Sequence, residues 1–222
     1  MREIVLDTET TGLEVKHGHR IIEIGGVELK NHIPTGATYH TRINPKRAID
    51  KDASQVHGMR DADVAKAPVF AEIADEFLKF VGDAHLVIHN APFDMGFLNA
   101  ELAREEYDPI PNDRVIDTLL LARRKFPGAP ANLDALCKRF EIDTSARTSH
   151  GALIDAELLT RVYIELIGGK QQNLMLQKEA TRTTARQQKT TSRPPRDFPP
   201  SDSEKAAHAE FMRTIKNPLW NK

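Results

Sequence analysis

Asp7 and Glu9 stand two residues apart, directly behind the apolar run Ile4-Val5-Leu6. In an extended strand, residues i and i+2 project from the same side. Two anions on one side repel, and a divalent cation between them is the commonest remedy. Taken alone, such a pair reads more simply as a solvated sheet edge. A third acid follows another apolar run. Leu86-Val87-Ile88 leads into His89-Asn90-Ala91-Pro92-Phe93-Asp94, which places Asp94 in the first turn of a helix, where the helix dipole alone would favour it. Further on, His150 precedes Asp155 by five positions. Five steps on an ideal helix leave two side chains well off a common face. The expected layout therefore has His150 on a loop entering a helix and Asp155 inside that helix, facing the sheet. Leu153, Ile154 and Leu158 show that one face of this helix is buried, and an acid on or beside such a face needs a partner.

The elements that must position these groups read as one α/β unit. Ile4–Leu6, Ile21–Leu29 and Tyr39–Ile43 are strand candidates, the second broken by Gly25-Gly26. Pro68 followed by Val69, Phe70, Ile73, Phe77, Phe80 and Val81 has the 3.6-residue spacing of an amphipathic helix. Leu86–Ile88 suits a buried strand, and Pro92 opens a helix carrying Phe93, Phe97, Leu98 and Leu102. Asn132 suits the N-cap of a helix running through Phe140. Leu153–Ile167 is the last strong helix, closed by Gly168-Gly169. Strands followed by alternating strands and helices predict a mixed sheet covered by helices. Cys137, flanked by Leu133, Leu136 and Phe140, reads as a core residue. A single cysteine permits no intrachain disulfide and no cysteine zinc cage, so a reducing compartment is expected.

Charge divides the chain. Met1 to Gly168 carries 20 basic and 27 acidic residues, a net of −7, whereas 169–196 carries 7 and 1, a net of +6. An apolar content of 40% excludes collagen-like and wholly disordered chains. No apolar run approaches the roughly 20 residues of a membrane span, and Met1-Arg2-Glu3 lacks a signal-peptide layout. Thr181–Ser203 is poor in large apolar residues, rich in Thr, Gln and Arg, and holds Pro194-Pro195 and Pro199-Pro200. It cannot bury enough surface to offset its ordering entropy, so a disordered linker is expected. Apolar content returns at Phe211, Met212, Ile215, Leu219 and Trp220, which reads as a docking segment at the end of a tail.

Three of these stretches together resemble a known family. Asp7-Thr8-Glu9-Thr10-Thr11-Gly12, His89-Asn90-Ala91-Pro92-Phe93-Asp94 with Phe97-Leu98, and His150-Gly151-Ala152-Leu153-Ile154-Asp155 resemble, in order and at fitting distances, the three motifs of the DEDDh 3′→5′ exonucleases. The resemblance covers about residues 2–177. The sister group would need Tyr four residues before the last Asp, and that residue is Gly151. Ile21-Ile22-Glu23-Ile24-Gly25, Val56-His57-Gly58, Leu133-Asp134-Ala135-Leu136-Cys137 and Arg147-Thr148-Ser149-His150-Gly151-Ala152 look most like the proofreading epsilon subunits of bacterial DNA polymerase III.

The resemblance implies an α/β, ribonuclease H-like fold, a mixed five-stranded sheet flanked by helices, with a disordered C-terminal tail. It implies two divalent metal ions, Mg²⁺ or Mn²⁺, on Asp7, Glu9, Asp94 and Asp155. His150 would be the base that takes a proton from water, a task suited to an imidazole, whose ordinary pKa is about 6.5. Thr10 and His57, with Asp7, Glu9 and Asp155, would meet the terminal nucleotide. Asp52 lies five residues before His57, where relatives often carry Glu, and would be a shorter contact. His17, His19, His32, His40 and His85 are taken as surface or turn residues, and His89 as structural.

The implied organisation is an exonuclease domain over 1–169, a sliding-clamp peptide over 170–177, a linker over 178–205 and a docking segment over 206–222. Gln172, Leu174 and Leu176 would enter the clamp, with Gln171 an alternative register. Phe211, Leu219 and Trp220 would anchor on the polymerase alpha subunit. A small theta-like subunit is a further implied partner, and the setting is a cytoplasmic bacterial replisome with no membrane contact. An acidic body holds phosphate weakly except at its metals, so a partner should deliver the DNA 3′ end. Two other readings stay open: another DEDDh exonuclease acting on RNA or single-stranded DNA outside a replisome, and a non-catalytic bridging subunit. A tail with an apolar terminus argues against the first, and the intact set of four carboxylates and His150 against the second.

Overall fold

A computed structural model of the chain describes residues 1–145, 147, 150–168 and 199–215. It divides into two units, Met1–Leu174 and Met175–Lys222. In the first, β1 (Arg2–Thr10), β2 (Ile21–Lys30) and β3 (Ile33–Arg42) form an antiparallel meander. Short helices α1 (Lys51–His57) and α2 (Asp61–Val64) follow, then α3 (Phe70–Val81), β4 (His85–Ile88) and α4 (Ala91–Arg104). The remainder is β5 (Val115–Asp117), α5 (Thr118–Lys125), α6 (Leu133–Arg139) and α7 (Ala152–Leu166). The sheet order is β3-β2-β1-β4-β5, with β4 parallel to both β1 and β5. This is the expected mixed five-stranded sheet.

Strand alternation assigns the two faces. Ile4 and Leu6 of β1 pack with Phe70 and Phe77 of α3 and with Met95 and Leu98 of α4. Val5 packs on the opposite face against Ala156, Leu159 and Tyr163 of α7. Glu3, Val5, Asp7 and Glu9 therefore share the α7 face, with an acid at each end of that row. Glu3 is fully buried, and its Oε1 accepts a 2.6 Å hydrogen bond from the Tyr163 hydroxyl. Cys137 is buried against Leu136, Leu158 and Val162, as its apolar neighbours predict. Asn132 caps α6 by accepting from the Ala135 amide at 2.8 Å.

Several elements differ from the sequence reading. β2 runs unbroken through Gly25-Gly26, both of which have ladder partners. What looks like a strand breaker is a close approach: a Cβ on Gly25 would lie 2.2 Å from the backbone of Ala152 and Leu153. β3 begins at Ile33 rather than Tyr39, since its polar outer residues hide an edge strand from a search for apolar runs. β5 and α5 are too short or too weakly patterned to stand out; Asp117 caps α5, accepting from the Leu119 amide at 2.8 Å.

In the second unit, α8 (Asp202–Thr214) starts inside the stretch expected to be linker. Ser201 and Glu204 form a capping box there, which satisfies two of the helix's free amides reciprocally. Phe211 on α8 is 62% exposed. The clamp-peptide residues Gln171, Gln172, Leu174 and Leu176, most of the linker, and Leu219 and Trp220 lie outside the described residues.

Candidate active site

The site forms where β1 outruns its parallel neighbour. The β1–β4 ladder ends at Val5↔Val87, and β4 itself ends at Ile88. The Thr8 amide, left without a strand partner on that side, donates to Asp94 Oδ1 at 3.1 Å, and the Thr8 hydroxyl donates to the same oxygen at 2.7 Å. These bonds fix the Asp94 carboxylate from the first turn of α4. Asn90 holds the turn before it in the left-handed region (φ 63°), a conformation asparagine tolerates better than most residues.

Asp155 arrives from the other face. α7 starts directly on β2, because Gly25 has no side chain to keep it away. Glu23, two residues earlier, accepts the Ala152 amide on Oε2 at 2.8 Å, and so satisfies one free amide of the helix start. Asp155, 4% exposed, thereby comes beside Asp7 and Glu9. His150 sits on the loop before α7, with its Nδ1 3.0 Å from Asp155 Oδ2. Glu9, His150 and Asp155 each present a ligand atom, all within 4.8 Å of one another.

Burial sets the electrostatics. It pushes the Asp7 carboxyl well above the ordinary carboxylate range, helped by the charges of Asp94, Glu9 and Asp155. Burial, then Asp155 and Glu23, raises Glu9 to about 8. Asp94 is raised to about 7 by burial, against the opposing pull of its Thr8 bonds. The Asp7 and Glu9 shifts both carry the repulsion of Asp94 and Asp155, so the four acids singled out from sequence lie close together. Such a cluster, rich in hard oxygen donors, suits a divalent cation, which would restore the ionised forms.

A cleft of about 530 Å³ opens beside this cluster, lined by Glu9, Thr10, Leu13, Asp52, Val56, His57 and Phe93 among others. Leu13 and Val56 are 79% and 55% exposed along it. His57 is buried, and its Nδ1 accepts from the Met59 amide at 3.1 Å. A neutral ring must then carry its proton on Nε2, a buried atom that faces the Thr10 backbone without a partner at hydrogen-bond distance among the described residues. Burial lowers the His57 pKa, which favours the neutral donor. Thr10 follows an irregularity in the β1–β2 register after Glu9, and its hydroxyl donates to Gly12 O at 2.7 Å. Asp52 is exposed on the first turn of α1, on the same cleft.

His19 corrects its reading as a surface residue. It is 8% exposed, its Nδ1 lies 3.1 Å from the Thr11 hydroxyl, and it forms part of the cleft wall. The signal available was Gly12, whose missing side chain leaves the space the His19 ring fills. His89, expected to be structural, has its Nδ1 2.9 Å from the Thr118 hydroxyl. Sequence reasoning gave no role to Glu23, Gly25 or Arg147, each of which acts on Asp155 or on the helix that carries it.

The family model for exonucleases matches residues 4–163. The DNA polymerase III subunit epsilon of Rickettsia felis is 45% identical over 222 residues, covering 97% of both chains. The chain belongs to the DNA polymerase III epsilon-subunit family. The Haemophilus influenzae epsilon subunit is 43% identical and covers the whole of this chain and 95% of its own. The Escherichia coli epsilon subunit is 48% identical over 76% of this chain. Among solved structures, Exonuclease X in complex with 5′ overhanging duplex DNA is 27% identical, with a TM-score of 0.59 over 74% of this chain and 90% of its own. The nuclease domain of the DEDDh enzyme 3′hExo shares the fold at 18% identity, with a TM-score of 0.63. The ribonuclease H-like exonuclease fold expected from the motifs is thus the fold of this epsilon-family chain.

Proposed function

We propose that Asp7, Glu9, Asp94 and Asp155 hold two divalent ions, Mg²⁺ or Mn²⁺, and that His150 is the general base of phosphodiester hydrolysis. The chain is a proofreading 3′→5′ exonuclease of the epsilon family, and exonucleases of this family use divalent metals. The observation that carries the residue assignment is the convergence of four acids from three separate elements, with His150 beside Glu9 and Asp155. When bound, the ions offset the charge of the phosphodiester and of the attacking and leaving oxygens. With Nδ1–H directed at Asp155, His150 Nε2 takes the proton of the attacking water. The water oxygen bonds to phosphorus, the bond to the preceding nucleotide's O3′ breaks, and that oxygen takes up a proton. A nucleoside 5′-monophosphate leaves.

His57 Nε2–H and Thr10 would hold the terminal nucleotide in the cleft, with Leu13 and Val56 as its apolar walls. Asp52 stands on the same cleft, on α1 with Val56 and His57, and would be a further contact to the nucleotide. Within the chain, 1–169 would be the catalytic domain. Gln172, Leu174 and Leu176 would bind the sliding clamp, and Phe211, Leu219 and Trp220 the polymerase alpha subunit. A theta-like subunit is a third partner in this reading. The net charge of −7 on the catalytic body supports delivery of DNA by these partners rather than by the nuclease itself.

Two measurements test the reading. His150→Gln should keep metal binding and lower kcat by roughly 10²–10⁴-fold, the range for loss of a general base. The wild-type rate should fall towards acid pH, and the substitution should flatten that limb. An unchanged pH profile would assign the base elsewhere. On substrates, single-stranded and 3′-mismatched DNA should be degraded faster than paired ends, because a frayed end reaches the cleft without prior unpairing. Equal rates on all three, or a preference for RNA, would favour an exonuclease working outside replication.

A further inference from the structure

Arg147 lies on the loop between α6 and α7 and, among the described residues, is the cation bound directly to the acid cluster. Its Nε donates to Asp155 Oδ1 and its Nη2 to Oδ2, both at 2.6 Å. Its Nη1 bonds Asp134 on the first turn of α6. The Arg147 side chain is 9% exposed, whereas that of Asp134 is 68% exposed. Both oxygens of Asp155 are thus engaged by a planar fork of single positive charge, the geometry in which guanidinium and carboxylate bind best.

The arrangement contains a conflict at His150. Arg147 Nη2 lies 2.7 Å from His150 Nδ1, and the same Nδ1 lies 3.0 Å from Asp155 Oδ2. A guanidinium nitrogen only donates, so the first contact needs a lone pair on Nδ1. A carboxylate oxygen only accepts, so the second needs a proton there. One nitrogen cannot satisfy both at once. With Arg147 in place, the ring is drawn towards the tautomer that leaves Nε2 protonated and unable to accept a proton from water.

We infer that Arg147 is an exchangeable counter-cation, which neutralises Asp155 in the metal-free chain and withdraws when a divalent ion engages that carboxylate. Withdrawal frees His150 Nδ1 to donate to Asp155 and leaves Nε2 as the acceptor. Asp134 gives the guanidinium a solvent-facing anchor to keep as it leaves. Arg147 is then a positioning residue, acting through Asp155 and His150, and it couples metal entry to readiness of the base. The inference rests on the reading of Asp155 as a metal ligand.

The experiment titrates Mn²⁺ into full-length wild type, Arg147→Gln and Arg147→Lys by calorimetry without nucleic acid, and melts each protein in chelator and in saturating Mn²⁺. Arg147→Gln should bind Mn²⁺ roughly tenfold more tightly, since no positive charge has to be moved away from the ion's site. It should melt below wild type in chelator, where Asp155 has lost its counter-ion, and the gap should narrow with Mn²⁺. Arg147→Lys keeps the charge without the fork and should bind with intermediate affinity. Equal or weaker Mn²⁺ binding by Arg147→Gln would make Arg147 a permanent clamp and overturn the exchange. Should that variant fail to fold, Arg147→Lys decides, and equal or weaker binding by it overturns the exchange likewise. Absence of saturable Mn²⁺ binding in wild type would instead remove the metal reading of Asp155, and this inference with it.

Discussion

Asp7→Asn is expected to reduce Mg²⁺-dependent hydrolysis to background while making the metal-free protein more stable at alkaline pH. Asparagine keeps the size of the side chain and one oxygen but removes the anion. Without divalent ions, burial and mutual repulsion hold Glu9 near 8, Asp94 near 7 and Asp7 well above the usual range. Unfolded carboxylates titrate at roughly 4. Between these limits the folded chain binds protons that the unfolded chain has released, so stability is greatest at the acid end and falls as pH rises. The wild-type melting temperature in chelator should therefore drop from pH 5 to pH 8.5, and Mg²⁺ should restore much of the loss at the upper end. Asp7→Asn should melt higher than wild type in chelator at pH 8.5 and nearly equally at pH 5. Each ~1 kcal/mol moves the midpoint by roughly 2–4 °C in a domain of this size, which a thermal scan resolves. A variant less stable than wild type at pH 8.5 would mean that Asp7 is a structural acid with a partner, and near-normal hydrolysis would remove it from the metal site.

The second large effect is expected from a residue that contacts no substrate. Gly25→Ala would place a methyl group 2.2 Å from the carbonyl carbon of Ala152 and the amide nitrogen of Leu153. Backbone cannot rotate out of the way as a side chain can, so the start of α7 must lift from β2. Overpacking of this kind costs about 1–3 kcal/mol. The functional cost should be larger in proportion, because Asp155 and His150 move with the helix, and a misplacement of about 1 Å can cost 10²-fold in rate. Gly26→Ala is the control. Its added methyl meets the edge of the Phe80 ring at 2.9 Å, on the opposite face of the sheet. That ring can shift, so Gly26→Ala should lower the melting temperature and leave kcat close to wild type. Measuring kcat and melting temperature for both variants separates positioning from stability. If the two variants lose activity in proportion to stability alone, the close approach at Gly25 has no special bearing on the site.

The candidate set was legible because each of its members follows a strong local signal. Asp7 and Glu9 end an apolar strand, Asp94 opens a helix after another, and Asp155 sits on a helix with a clear apolar face. Types and order of these residues are enough to name the family, and local patterning alone predicts β1, β2, β4, α3, α4, α6 and α7. The capping box at Ser201 and Glu204 was equally local, and it moves the start of the last helix to Asp202, earlier than apolar content indicated.

What the sequence could not settle depends on contacts between residues far apart in the chain. Gly25-Gly26 reads as a break in any local view, since glycine weakens a strand that has no reason for it. The reason is Ala152, 127 residues away, whose backbone occupies the space of the missing side chain. Glu23, His19 and Arg147 carry no local pattern that separates them from other charged residues. Their roles come from the Ala152 amide, the Thr11 hydroxyl and the Asp155 carboxylate, which only the folded sheet brings within hydrogen-bond reach. The sequence by itself determined which acids and which imidazole are candidates for the site, because side-chain chemistry and strand or helix ends are local properties. The tertiary structure alone decided how closely they meet and what holds them there, because burial, repulsion and close backbone approach exist only between elements that have already packed.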